Sequence, residues 1–155
     1  MDEQQGGTIA NATGSNLEAF IENALIANHY QFVDKVKFKP SIYLEQPIYS
    51  KQVFICKSIY DTNIYCDFIL YHPEKYPDCL IIESKWQQTG GSVDEKYPYL
   101  IINIQTRYPH KTILVLDGGG YKKGAEDWIR NEVGNSLIAV YSMAEFQTWV
   151  NKGGL

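Results

Sequence analysis

Cys79-Leu80-Ile81-Ile82-Glu83-Ser84-Lys85-Trp86 begins as an apolar run and ends charged, the pattern of a central strand whose last residues reach a polar site. Gly90-Gly91 stops it. Just upstream, His72-Pro73-Glu74-Lys75-Tyr76-Pro77-Asp78 is built of turn residues and links this strand to an earlier one, Tyr65–Tyr71. The link is short enough to make the two strands antiparallel neighbours. Side chains alternate along a strand, so Glu83, Lys85 and Gln87 are expected on one face and Ile82, Ser84 and Trp86 on the other. Asp67, in the earlier strand, then meets Glu83.

Working outward, Tyr30 to Tyr71 is rich in β-branched and aromatic residues broken by Pro40, Pro47 and Asp61-Thr62-Asn63, which predicts further strands at Gln31–Val36 and Val53–Tyr60. Before them, Leu17, Phe20, Ile21, Ala24 and Leu25 form the stripe of an amphipathic helix, with Ser15 or Asn16 as its cap. Downstream, Ser92-x-x-Glu95 is a capping box for a helix carrying Leu100, Ile101 and Ile104, although Pro98 inside it would remove a hydrogen bond and bend it. Thr112–Leu116 is a buried strand, Gly118-Gly119-Gly120 its exit loop, and Ala125–Val133 a helix with Trp128 and Ile129 facing inward. Leu137–Tyr141 is another strand, and Ser142-x-x-Glu145 caps a last helix carrying Phe146, Trp149 and Val150. This order predicts an α/β sandwich around a mixed sheet, as one domain over residues 14–152 behind a flexible tail at 1–13.

With 155 residues, 45% of them hydrophobic, the chain has the mass for one core. A net charge of -4 excludes a basic protein that coats nucleic acid, though not a site of local positive charge. No apolar run approaches the roughly 18 residues of a membrane span, and the acidic, polar start is unlike a signal peptide, so no membrane association and a cytoplasmic location are expected. Cys56, Cys66 and Cys79 lack a Cys-x-x-Cys spacing, which argues against a disulfide framework or a structural zinc site.

Two carboxylates and an ammonium at one place point to chemistry. Adjacent acids repel unless a cation lies between them, and hard oxygen donors suit Mg²⁺, with Mn²⁺ as a substitute. Lys85 beside them would orient or deprotonate an attacking water, which together describes phosphodiester hydrolysis. The bland alternative is a salt bridge at a strand end. A second acid-x-Lys triplet, Asp94-x-Lys96, opens a helix, where acid and lysine do not share a face, and has no apolar strand before it.

These residues resemble the PD-(D/E)xK nuclease superfamily. The resemblance implies a restriction-endonuclease-like mixed β-sheet flanked by helices, an α-β-β-β-α-β core with an extra C-terminal strand and helix. It implies Asp67 as the first metal-binding acid, Glu83 as the second, Lys85 as the motif lysine, Glu18 as the helix glutamate beside the metal and Gln87 as the glutamine some members carry past the lysine. Ser84 joins the metal set. The naming proline is absent, Cys66 standing before Asp67. The expected activity is that of a Mg²⁺-dependent DNA endonuclease; the alternative is a catalytically silent nucleic-acid-binding or assembly module, against which the retained charges speak. A helical wheel places Glu18 at the border of the apolar arc and Glu22 toward solvent.

Gly118-Gly119-Gly120-Tyr121-Lys122-Lys123-Gly124 lies between a strand and a helix, so Gly119, Lys122 and Lys123 are candidates for DNA-backbone contact, with a plain glycine turn as the alternative. Lys35, Lys37, Lys39, Lys51 and Lys57 can add to such a groove, with a solvated sheet face as the alternative. The three tryptophans read as core packing. Twelve tyrosines and six phenylalanines exceed what one small core needs, and cutting both strands of a duplex calls for two sites, so a homodimer or higher even oligomer is expected through Tyr97–Tyr99 and the last helix.

Overall fold

The apolar stretches above assemble into one six-stranded sheet in simple sequential order. The computed structural model describes the backbone of residues 3–88, 90 and 92–155, and the side chains of residues 14–88, 90 and 94–155. Strand β1 (Gln31–Phe32) runs parallel to β2 (Ile48–Lys57); β2, β3 (Asn63–His72) and β4 (Tyr76–Trp86) are antiparallel; β5 (Thr112–Asp117) and β6 (Leu137–Tyr141) continue parallel to β4. The helices are α1 (Glu3–Ala27), α2 (Phe38–Ser41), α3 (Tyr97–Thr106), α4 (Lys123–Asn131) and α5 (Met143–Asn151). The mixed sheet flanked by helices is the expected architecture.

Leu17, Ile21 and Leu25 of α1 are buried with Phe68, Leu70, Leu80 and Ile82 of the sheet and with Phe146 and Val150 of α5. Across the sheet, Ile101 and Ile104 of α3 and Ile129 of α4 pack on Leu114, Leu116 and Val140, while Phe38 of α2 packs on Val53, Ile69 and Ile81. Burying helices on both faces makes β4 and β5 continuous apolar runs, which is why they were legible without alternation.

Several boundaries differ from expectation for local reasons. No proline interrupts 3–16, so α1 extends through most of the segment expected as a tail, and Ser15 and Asn16 lie inside it instead of capping it. Strand β1 stops at Phe32 because Asp34 folds the chain: its carboxylate accepts from Val36 N (3.1 Å) and its carbonyl from Lys37 N (2.8 Å). Strand β2 ends at Lys57, where the Ser58 hydroxyl meets Thr62 Oγ1 (2.7 Å) and accepts from Tyr60 N (3.1 Å) to close the hairpin. The β3–β4 turn shrinks to 73–75, with His72 Nδ1 accepting from the amides of Glu74 and Lys75.

Pro98 does no harm, since α3 starts at Tyr97 after a 3-10 turn, Ser92–Lys96, and a proline in the first helical turn forfeits no intrahelical bond. The side chain of Ser92 lies outside the described residues. The capping box on α5 forms as read, Ser142 and Glu145 each accepting the other's amide. Trp128 is 39% exposed, not inward; in the Tyr97–Tyr99 segment Tyr97 is buried, while Tyr99 is half-buried and stacks on the exposed Tyr60. No helix of the described residues is long and apolar enough to cross a membrane.

Candidate active site

The sheet forks. The β3–β4 ladder runs from His72/Tyr76 to Phe68/Ile82 and ends there, while β3 stays paired with β2 as far as Asn63 and β4 with β5 as far as Trp86. Asp67 and Glu83 are the first residues beyond the last β3–β4 rung. Ser84 N, without a β3 carbonyl to bond, donates instead to Asp67 Oδ2 (2.8 Å), and the Ser84 hydroxyl approaches the same oxygen at 3.4 Å. A strand that parts from its neighbour must satisfy its amides elsewhere, and here a carboxylate does so.

Lys85 Nζ lies 4.0 Å from Asp67 Oδ2 and is half-exposed, so its ammonium stands between the acid and solvent. Glu83 is 3% exposed and accepts from Tyr108 Oη (2.9 Å) in the turn between α3 and β5. Its carboxyl is held well above the ordinary range, first by burial and then by the charge of Asp67, with which it is close enough to hydrogen bond; Lys85 and Tyr108 pull the other way. Burial also pushes the Tyr108 hydroxyl up, reinforced by Glu83. Two acids pressed together, with the Lys85 ammonium beside them, form a hard oxygen donor set that a divalent cation fits. Among the described residues no three His, Cys, Asp or Glu side chains group closely enough to hold a metal; Asp67 and Glu83 are the two acids at the fork that would hold one.

Glu18 on α1 is exposed and lies within electrostatic reach of the fork. Its carboxyl is raised by partial burial and by Asp67, and opposed by Lys51 and Lys85. The wheel misjudged Glu22. Instead of facing solvent it accepts from Tyr49 Oη (2.7 Å) and Lys51 Nζ (3.1 Å) on β2, because α1 lies against a sheet broad enough to meet the flank of the helix as well as its apolar stripe.

Gln87, expected past the motif lysine, is buried at the end of β4. Its Oε1 accepts from Tyr97 Oη (2.6 Å), its Nε2 donates to Gly120 O (3.4 Å), and its main chain bonds Asp117 O and Gly120 N. The residue ties the end of β4 to the glycine loop. That loop needs Gly118, whose φ is +104° and whose absent Cβ would fall 2.4 Å from Gln87 O. Gly119 has φ +72° with open space around it, and Lys123 pairs with Asp127 (3.0 Å) on α4. Asp94-x-Lys96 falls in the 3-10 turn, away from any strand.

Sequence reasoning missed two groups. Tyr108 comes from the crossover turn, with no spacing to mark it. Gln52 Nε2 reaches Asp67 Oδ1 (3.4 Å) from β2, at a residue with φ +55°; the left-handed backbone of a strand residue is a tertiary feature without a local signature.

A family model described as a PD-(D/E)XK nuclease superfamily domain matches residues 9–154. No curated protein and no solved structure matches the chain significantly.

Proposed function

Because the chain belongs to the PD-(D/E)XK nuclease superfamily, we propose that it is a Mg²⁺-dependent DNA endonuclease, with Mn²⁺ as a substitute metal, working in the cytoplasm where Cys56, Cys66 and Cys79 stay reduced. The observation that carries this reading is the convergence of Asp67, Glu83 and Lys85 where β3 and β4 separate.

Each residue has a task set by its contacts. Asp67 is aimed by Ser84 N, so its carboxylate is oriented before any substrate arrives. Glu83 is aimed by Tyr108, and its burial keeps water from competing for its oxygens. When bound, the divalent metal supplies positive charge to the scissile phosphate and lowers the pKa of its water. Lys85, on the solvent side of Asp67, holds the attacking water or a phosphate oxygen with a mobile ammonium. Glu18 on α1, within electrostatic reach of Asp67 and Lys85, would hold the metal directly or through a water. Lys122 and Lys123, past the glycine loop that Gln87 anchors, contact the DNA backbone, with Gly119 leaving room for a phosphate.

The test is cleavage of plasmid or branched DNA. Product is expected with Mg²⁺ or Mn²⁺ and none with EDTA or Ca²⁺ alone. Binding without cleavage under every divalent metal would replace the nuclease with a silent nucleic-acid-binding module.

A further inference from the structure

We propose that a groove beside the fork is a subsite for an unpaired nucleotide, so that the preferred substrate is DNA with single-stranded character next to the scissile phosphate; this deepens the nuclease reading and rests on it. The groove has a volume of about 290 Å³, with Val53 at its floor and Lys35, Lys39, Gln52, Phe54 and Tyr65 around it. Gln52 links it to the catalytic acid, lining the groove and donating to Asp67 Oδ1 (3.4 Å).

Three features select the occupant. Phe54 and Tyr65 face each other across β2 and β3, ring centroids 6.0 Å apart and edge to face, yet 47% and 50% exposed. Two rings left in water at one spot offer a π-surface for a flat apolar ligand. Lys35 and Lys39 are exposed, and among the described residues neither enters an ion pair, unlike Lys51 and Lys123. In a chain of net charge -4, two uncommitted ammonium groups lining one groove give the local attraction a phosphate needs.

A ring platform flanked by lysines matches a nucleobase joined to its backbone. Paired bases are stacked inside the duplex and present no free face. A cleft at the lower end of small-ligand volumes admits one base and excludes a double helix. The structure therefore points to an unstacked nucleotide of the strand whose phosphate meets Asp67 and Glu83.

The experiment uses the full chain in EDTA, where binding proceeds without cleavage. Single-stranded oligonucleotides carrying 2-aminopurine, and the same sequence as a blunt duplex, are titrated by fluorescence. The single strand is expected to bind more tightly and its 2-aminopurine to be quenched by ring stacking. Phe54→Ala and Tyr65→Ala should each weaken single-strand binding roughly 5- to 150-fold and relieve the quench, leaving duplex binding unchanged. Phe54→Tyr and Tyr65→Phe should retain both, which separates stacking from misfolding. Lys35→Ala with Lys39→Ala should lower the slope of log affinity against log salt by about 1.4. Equal affinity for duplex and single strand, or alanine variants that bind and quench like wild type, would overturn the subsite. So would a two-chain mass by light scattering that falls to one chain in Phe54→Ala, since the rings would then be covered by a second copy. Plasmid cleavage in Mg²⁺ by the same preparations distinguishes the failures: cutting without ring-dependent binding sinks the subsite alone, and ring-dependent binding without any cutting sinks the nuclease.

Discussion

Removing one hydroxyl, in Tyr108→Phe, tests whether the Glu83 carboxylate is positioned for a metal or is merely a buried acid. The tyrosine ring packs against both the α3–β5 cluster and the Phe38 cluster, so phenylalanine preserves the packing and deletes only the 2.9 Å bond to Glu83 Oε1. Hydrogen bonds to a charged group are worth about 1.5–3 kcal/mol, more than neutral ones. Glu83 is already held above the ordinary carboxylate range by burial and by Asp67, and Tyr108 is one of two groups opposing that rise. Without it the protonated form gains, and a cation must displace that proton to bind. The expected result is a Mg²⁺ requirement raised roughly 10- to 100-fold, the usual cost of losing a group that orients a metal ligand, with maximal rate largely recovered at saturating metal. A cleavage titration against Mg²⁺ and calorimetric binding of Mn²⁺ both report it. A variant with wild-type metal dependence in both assays would show that Tyr108 only fills space and that Glu83 is not a ligand.

Four further predictions follow from named contacts. Asp67→Ala, Glu83→Ala and Lys85→Ala should each abolish nearly all plasmid cleavage while Asp94→Ala and Lys96→Ala change it little; the reverse ranking would relocate the site. Glu18→Gln should slow turnover more than Glu22→Gln, and because Glu22 joins Tyr49 and Lys51, its variant should instead lower the melting temperature; equal kinetic effects would remove Glu18 from the site. Gly118→Ala should destabilise by roughly 1–2 kcal/mol from the left-handed backbone alone, with more from the clash on Gln87 O, read as a lower denaturant midpoint; an unchanged midpoint would refute the close approach. We also propose a two-fold homodimer or higher even oligomer, since one site attacks one strand per orientation; light scattering should give about twice the 17.7 kDa chain mass, whereas a monomer that only nicks would dismiss it.

The apolar run into Glu83-Ser84-Lys85, the Asp67 strand before it and the Ser142–Glu145 capping box were legible because each is a local pattern: strand alternation, a buried run and a cap depend on residues only a few positions apart. Those patterns carried the fold class, the motif strand and the pairing of Asp67 with Glu83. What they could not carry is where neighbouring elements stop touching. The end of the β3–β4 ladder at Phe68/Ile82, which frees Ser84 N for Asp67, is decided by long-range pairing: β3 stays laddered to β2 and β4 to β5, while Asn103 of α3 accepts from Ile59 N and holds the tip of the β2–β3 hairpin against the helix. Tyr108 enters the site from 25 residues beyond Glu83, Gln52 through a left-handed strand residue, and Glu22 finds Tyr49 because the flank of α1 also meets the sheet. A sequence determines side-chain periodicity over a few residues; contacts between distant segments are decided by the packing of whole surfaces, and the hydrogen bonds that tune the site form only after that packing is complete.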